Sequence, residues 1–163
     1  MLRRLIVPLA FAVALSACSP GPSSTFNPHT GITRHASAPR VIERQPAAEF
    51  AVQVVGLEGH GEERLAILTS VRRADGNFPR IDGAWSHGHA LPYRKMDRRY
   101  LGCGSALGCV REEAGAITIT RNLALAALRN GGLDLHLSGR RGAYTGRVPP
   151  ELFAEMLARF PGR

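Results

Sequence analysis

The chain has 163 residues and a formal net charge of +8 at pH 7, carried almost wholly by arginine, since Lys95 is the only lysine. This length suits one modest domain with a single core. An arginine- and alanine-rich composition often reflects a GC-rich genome, so the charge does not by itself indicate a nucleic-acid partner. The basic balance better suits anionic lipid or polysaccharide, although a solvated basic surface is the simpler explanation.

An export signal is predicted at the amino terminus. Arg3-Arg4 precedes an apolar stretch over residues 5–15. A basic start, an apolar run of about 7–15 residues and small residues before a cleavage site are typical of secretory signals. The sequence that follows, Leu15-Ser16-Ala17-Cys18, resembles the lipobox of bacterial lipoproteins.

The lipobox resemblance implies that residues 1–17 are removed as a signal peptide and that the thiol of Cys18 carries a diacylglyceryl group. In many bacteria the new amino group is acylated as well. One acyl chain gives marginal membrane binding, whereas two or three anchor a protein stably. The next residue is Ser19. Because an Asp at that position favours retention in the inner membrane, the resemblance implies the periplasmic face of the outer membrane.

Two alternatives to lipidation remain. The first is an uncleaved membrane helix, which is disfavoured because the apolar run is shorter than the roughly 20 residues that span a bilayer. Pro8 also interrupts it. The second is an ordinary secretory signal with a coincidental cysteine.

The segment over residues 18–45 is predicted to be a flexible tether. Prolines, Gly, Ser and Thr dominate it, with few apolar residues. Such a composition buries too little surface to offset the entropy of ordering the chain. A tether of this length would let the domain stand tens of ångströms from the membrane. Residues 46–163 are then a single globular domain.

Cys103 and Cys109 are left as an even pair once Cys18 is lipidated. Exported proteins meet an oxidising compartment, so the sequence predicts a disulfide that pins a local hairpin. A metal-thiolate pair and a redox-active pair are the alternatives. The spacing differs from the Cys-x-x-Cys of thioredoxin-like enzymes.

Two alternating runs in the first half of the domain predict an antiparallel hairpin. Its strands are expected over residues 48–56 and 65–72, joined through the turn Gly59-His60-Gly61. From residue 81 to residue 100 the pattern predicts only short strand pieces. Trp85 lies in one of these pieces and is expected to pack in the core.

The clearest strand in the chain covers residues 133–138. Its leucines point to one face, and Asp134, His136 and Ser138 point to the other. The turn at residues 139–142 returns the chain as a partner strand over residues 143–148.

Two helices are predicted in the second half. Asn122 is expected to cap a short helix through Leu128, and Pro149-Pro150 opens the last helix. The apolar stripe of the last helix comprises Leu152, Phe153, Met156, Leu157 and Phe160. The order of elements predicts an α+β fold: a small antiparallel sheet of hairpins, one short helix and a carboxyl-terminal amphipathic helix.

His87 and His89 are the sharpest candidates for chemistry. On a strand, residues two apart project to the same side, so their imidazoles could share a Zn²⁺ or Cu²⁺ ion. A metal needs further ligands, and Asp82, Asp97 or His136 would have to approach in space. The alternative is a hairpin turn with two surface histidines.

Three arginine groups are candidate contacts for a partner. They are Arg72-Arg73, the segment over residues 94–99 and Arg140-Arg141, and the densest contains Arg94, Lys95, Arg98 and Arg99. Arginine is favoured at interfaces for its rigid multi-donor fork. A solvated edge strand or helix face is the alternative explanation of the densest group.

The leading functional prediction is a lipid-anchored binding or accessory subunit facing the periplasm. Its partners would be the membrane, envelope proteins or anionic envelope polymers, without nucleic acid and without a cofactor beyond the covalent lipid. A periplasmic metal-binding protein that uses His87 and His89 is the first alternative.

A hydrolase of envelope polymers is the second alternative. The sequence assembles no acid–base pair or nucleophile for it, because Ser86 beside His87 lacks the Gly-x-Ser-x-Gly setting. The adjacent acids Glu112-Glu113 point to opposite faces of a strand. A cleft with polar side chains around His136 or His87 would favour it.

Overall fold

The computed structural model describes residues 21–104 and 108–159. Strands occupy 64% and helices 14% of these residues, so the predicted α+β class is wrong and the fold is dominated by antiparallel β-structure. The strands and helices, in chain order, are β1 (Ser23–Asn27), β2 (Ile32–Ala36), β3 (Arg40–Gln45), β4 (Ala48–Gly59), β5 (Glu62–Arg73), β6 (Ile81–Ser86), β7 (His89–Leu91), β8 (Tyr93–Gly104), β9 (Gly108–Ile119), α1 (Arg121–Arg129), β10 (Leu133–Gly139), β11 (Gly142–Val148) and α2 (Pro150–Arg159).

The strands form two antiparallel sheets. The larger sheet has seven strands in the order β1-β2-β4-β5-β9-β8, with β3 also paired to β4. The smaller sheet has four strands in the order β11-β10-β6-β7. We call them the large sheet and the small sheet.

The core lies between the inner faces of the two sheets and the two helices. The large sheet contributes alternate residues of its long strands, such as Phe50 and Ile67, and the small sheet contributes Leu137 and Tyr144. Phe153 of α2 is fully buried in the same cluster. Burial of aliphatic and aromatic side chains at about 25 cal/mol per Å² is the main stabilising term of such a core.

The predicted tether contains three strands, so its assignment as flexible is wrong for residues 23–45. β1 pairs with β2, and both β2 and β3 pair with β4. Ser37 explains part of this order, because its buried hydroxyl accepts a hydrogen bond from the amide of Val54 at 3.0 Å. Tertiary pairing with a strong central strand thus supplies order that the segment's own composition does not predict.

The predicted short pieces between residues 81 and 100 are also corrected. β8 is a 12-residue edge strand, and residues 94–101 are exposed. An edge strand exposed on both faces needs no apolar alternation, so periodicity could not reveal it. Trp85 is only half-buried and lies on the outer face of the small sheet rather than in the core.

Other predicted elements are confirmed. The β4–β5 and β10–β11 hairpins form, and α2 buries the apolar stripe through Leu152, Phe153 and Met156. Phe160 lies outside the described residues. The cap of α1 is corrected from Asn122 to Thr120, whose hydroxyl accepts from the amide of Leu123 at 3.1 Å.

The predicted disulfide is present between Cys103 and Cys109. These residues stand directly opposite each other in the β8–β9 pair. The bond therefore closes the end of a hairpin, as the spacing predicted.

A buried carboxylate joins the two sheets. The side chain of Glu113, on β9 of the large sheet, is fully buried. It accepts hydrogen bonds from the amides of Arg80 at 2.9 Å and Ile81 at 3.1 Å, where the small sheet begins. Arg98 of β8 donates from Nε to the same carboxylate at 3.1 Å.

The segment that Glu113 holds, Arg80-Ile81, is also packed closely against the end of β10 and the turn that follows it. Arg80 adopts a positive φ of 55° and its carbonyl accepts from the amide of Arg140. A Cβ at Gly139 would come within 2.6 Å of that carbonyl oxygen, so only glycine allows this approach. The start of β6 is consequently held by the large sheet through Glu113 and by the β10–β11 turn through Arg140.

We expect Glu113→Gln to lower the free energy of unfolding by about 2–4 kcal/mol. The substitution removes the negative charge that pairs with Arg98, and it weakens the hydrogen bonds that the backbone amides of Arg80 and Ile81 donate. Urea denaturation measures this change. The matched control is Glu62→Gln, which affects an exposed ion pair with Arg64 and should cost less than about 0.5 kcal/mol. Equal effects of the two substitutions would contradict the assigned role of Glu113.

Candidate functional site

A groove of about 710 Å³ crosses the outer face of the small sheet. Strands β6, β10 and β11 form its floor, and the turn between β6 and β7 forms one wall. Its lining residues are Trp85, Ser86, His87, Gly88, Asp134, Leu135, His136, Ser138, Thr145, Gly146 and Arg147.

Strand register explains why polar and aromatic side chains meet in this groove. His136 of β10 stands opposite Trp85 of β6 and opposite Thr145 of β11. Asp134 stands opposite Arg147. Residues directly opposite in an antiparallel pair share a face, so the predicted polar face of β10 becomes the floor of the groove.

The indole of Trp85 lies over Gly83, which has no side chain to keep the ring away from the sheet surface. A Cβ there would come within 2.6 Å of Cη2 and 3.0 Å of Cζ3 of the indole. The ring of His136 lies edge-on to Trp85, with the ring centroids 6.2 Å apart and the planes at 66°. Edge-to-face contact is a favourable arrangement for aromatic rings, and it gives the groove an ordered apolar surface.

Asp134 and Arg147 form a bidentate ion pair beside these rings. Nε and Nη2 of Arg147 donate to the two carboxylate oxygens at 2.6 and 2.8 Å. These hydrogen bonds hold the pKa of Asp134 below its usual range and raise that of Arg147. His87 approaches the carboxylate with Nε2 3.9 Å from Oδ2. Both side chains of the Asp134–Arg147 pair are charged, and their opposite charges cancel.

Ser86 borders the groove but belongs to the opposite face of β6. It follows Trp85, and successive side chains of a strand alternate. Ser86 is 7% exposed, and its hydroxyl lacks a hydrogen-bond partner among the described residues. This alternation separates its hydroxyl from the imidazole of His136, so the arrangement does not support a nucleophile–base pair.

The strand geometry assumed for His87 and His89 is wrong. His87 and Gly88 both have positive φ, 47° and 82°, and form the two-residue turn between β6 and β7. Only His87 lines the groove, since His89 begins the next strand opposite Ser86. Within residues 21–104 and 108–159, no group of three or more His, Cys, Asp or Glu side chains is placed to hold a metal ion.

The arginine groups are largely engaged in contacts within the domain. Arg73 donates to Asp75 and, at 2.8 Å, to the hydroxyl of buried Tyr144, which links the two sheets. Asp75 in turn holds the pKa of the Arg73 guanidinium well above its usual range. These interactions give the first group a structural role in addition to any role in binding.

The densest basic group lies on the edge strand β8. Lys95 and Arg99 pair with Asp82 and Asp97, and Arg98 pairs with Glu113. Arg140 stands 4.0 Å from Asp82, and the carbonyl of Arg141 accepts from Arg73. Arg94 is exposed and stands opposite Ala116. The three groups do not converge on the groove.

The predicted signal peptide, the lipobox and Cys18 lie outside the described residues. None of the helices in the described part of the chain is both long and apolar enough to cross a membrane. No protein-family model, curated protein or solved structure matches this chain. The groove therefore has to be interpreted from its own chemistry.

The sequence indicated only part of this site. The alternation of β10 placed Asp134, His136 and Ser138 on one face, but it did not identify what lies beside them. The local pattern predicts Trp85 in the core and contains nothing that indicates Arg147 beside Asp134. Glycine at position 83, two residues before the only tryptophan, is the signal that could have placed the indole on a strand surface.

We expect Gly83→Ala to displace the indole of Trp85, because the added methyl group would overlap its six-membered ring. Since Trp85 is the only tryptophan, intrinsic fluorescence reports on it directly. The variant should show red-shifted emission and stronger quenching by acrylamide. Gly104→Ala is the control, because a Cβ there meets nothing within 4 Å among the residues that the structure describes. Unchanged quenching in Gly83→Ala would contradict the described packing.

Proposed function

We propose that this protein is a lipid-anchored binding protein of the bacterial cell envelope, and that the groove on the small sheet is its ligand-binding site. The anchor would be acyl chains on Cys18, and the domain would face the periplasm from the outer membrane. The ordered groove with Trp85, His136 and the Asp134–Arg147 pair is the observation that carries the binding function. Concave, largely apolar surfaces with a few oriented polar groups are typical of ligand sites.

The charge state of the groove supports binding rather than acid–base catalysis. The hydrogen bonds from Arg147 lower the pKa of Asp134, and a carboxylate with a lowered pKa is both a poor proton donor near neutral pH and a weak base. The same pair gives a ligand fixed donors and acceptors. Preordered polar groups lose little conformational entropy when a ligand binds.

The distance between the anchor and the fold favours a domain held close to the membrane. Cys18 precedes Ser23, the first residue of β1, by five positions. An extended chain spans at most about 3.5 Å per residue, so β1 would begin within about 17 Å of the lipidated residue. This replaces the expectation of a domain that stands tens of ångströms away.

We expect Cys18→Ala to carry no acyl mass, because Cys18 supplies the thiol that takes the diacylglyceryl group. Intact-mass analysis of the native protein should show a chain that begins at residue 18 with added acyl mass. The control is the double variant Cys103→Ala/Cys109→Ala, which removes the other cysteines and should keep the acyl mass. An unmodified Cys18 in native material would refute the anchor.

Site-specific photo-crosslinking tests whether the groove is occupied in the envelope. A photoreactive residue in place of Ser138, in the groove, should give an adduct in intact cells. The same residue in place of Arg64, which is exposed on β5 of the large sheet, should not. An adduct of any chemical class that is specific to position 138 supports the binding function. Equal adducts at both positions, or none at either, would overturn it.

A further inference from the structure

We propose that the groove binds an uncharged saccharide chain, with the indole of Trp85 as the surface on which a sugar ring stacks. This inference rests on the proposed function and specifies its ligand class. It depends on three properties of the groove: an aromatic surface, paired polar groups of both kinds and a central floor strand that is paired on both sides.

Trp85 supplies the stacking surface. Its indole covers Gly83 and lines the groove instead of entering the core, which is unusual for the only tryptophan of a small domain. The C–H groups on one face of a sugar ring carry small positive partial charges and are weakly hydrated. The negative face of an aromatic ring attracts such groups, so indole and sugar are complementary in both polarity and shape.

The polar groups beside Trp85 match vicinal hydroxyls. A hydroxyl both donates and accepts hydrogen bonds. The groove offers the carboxylate of Asp134 as acceptor, the guanidinium of Arg147 as donor, and the side chains of His136, Ser138 and Thr145. Hydrogen bonds to ionised groups are stronger than those between neutral groups, which compensates for the water that a sugar must release.

The charge of the groove favours an uncharged ligand. Asp134 and Arg147 neutralise each other through two hydrogen bonds, so an anionic group would have to break this pair. Four cations of the basic groups form ion pairs with carboxylates that do not line the groove: Arg72, Lys95, Arg98 and Arg140. Saccharide binding should consequently depend little on ionic strength.

The strand pairing of the floor disfavours an extended peptide. Peptides commonly bind by adding a strand to an unpaired sheet edge. β10, the centre of the floor, is paired on both sides, to β6 and to β11. The centre of the groove thus presents side chains of a sheet face and not a free row of backbone amides and carbonyls. Of the three floor strands only β11 is an edge strand, and the amide of its Thr145 already donates to the carboxylate of Glu43 at 2.8 Å.

The experiment uses the full chain purified in detergent micelles and follows Trp85 fluorescence during titration. The probes are a neutral oligomer of β-1,4-linked N-acetylglucosamine, a lipid-free O-polysaccharide composed of uncharged sugars and the peptidoglycan stem peptide. Saturable binding of either saccharide supports the proposal, and the preferred saccharide identifies the source. Affinity should change less than about twofold between 50 and 300 mM NaCl.

The variants are assayed by isothermal calorimetry, because two of them lack tryptophan. We expect Trp85→Ala to weaken saccharide binding by at least about tenfold and Trp85→Phe to retain part of the affinity. Phe26→Ala is the matched control, since Phe26 is an exposed aromatic residue on β1, 60% exposed. It should bind as the unchanged chain does. The unfolding midpoint of each variant establishes that the fold is retained.

Three outcomes would overturn the proposal: no saccharide binds, binding does not depend on Trp85, or the stem peptide binds the groove in place of sugar. A protein or peptide adduct at position 138 in cells, with no saccharide binding in solution, would leave the proposed binding function standing and refute the ligand class alone. The absence of any groove-specific adduct together with the absence of saccharide binding would refute both.

Discussion

The buried carboxylate of Glu113 is the interaction on which the arrangement of the two sheets depends. It lies on β9 of the large sheet and accepts hydrogen bonds from the backbone of Arg80 and Ile81, where β6 of the small sheet begins. A buried charge is costly unless it is fully hydrogen-bonded. The carboxylate and the backbone at the start of β6 therefore stabilise each other. The position of β6 sets the position of Trp85, and through register with β10 it sets the composition of the groove.

Most of the arginines in the basic groups likewise form contacts within the domain. A basic protein could present its charge as one surface, but here many guanidinium groups meet carboxylates or carbonyls of neighbouring strands. Arg73 reaches Tyr144 across the two sheets, and Arg98 completes the hydrogen bonds of Glu113. The groove is left with one compensated pair and an aromatic surface. With a lipid at Cys18, this groove would belong to a domain that lies close to the membrane, where envelope polymers are concentrated.

The sequence predicted the parts of the fold that bury one face and expose the other. The β4–β5 and β10–β11 hairpins and helix α2 show a clear periodicity because each has a core face and a solvent face. The edge strand β8 is exposed on both faces and has no such period. β1, β2 and β3 carry prolines and glycines between them and gain order through tertiary pairing, β2 and β3 with β4 and β1 with β2. Their omission produced the incorrect α+β class.

The sequence by itself determined the cysteine pair that closes a hairpin and the polar face of β10, and it predicts an export signal that ends in a lipobox. Each of these is written in neighbouring residues, through charge, spacing or alternation. Only the tertiary structure decided that Trp85 lies on the surface, that Asp134 meets Arg147, and that β8 is an edge strand. These facts depend on which strands become neighbours and in which register. Contacts between residues distant in the chain fix both, and no local pattern records them.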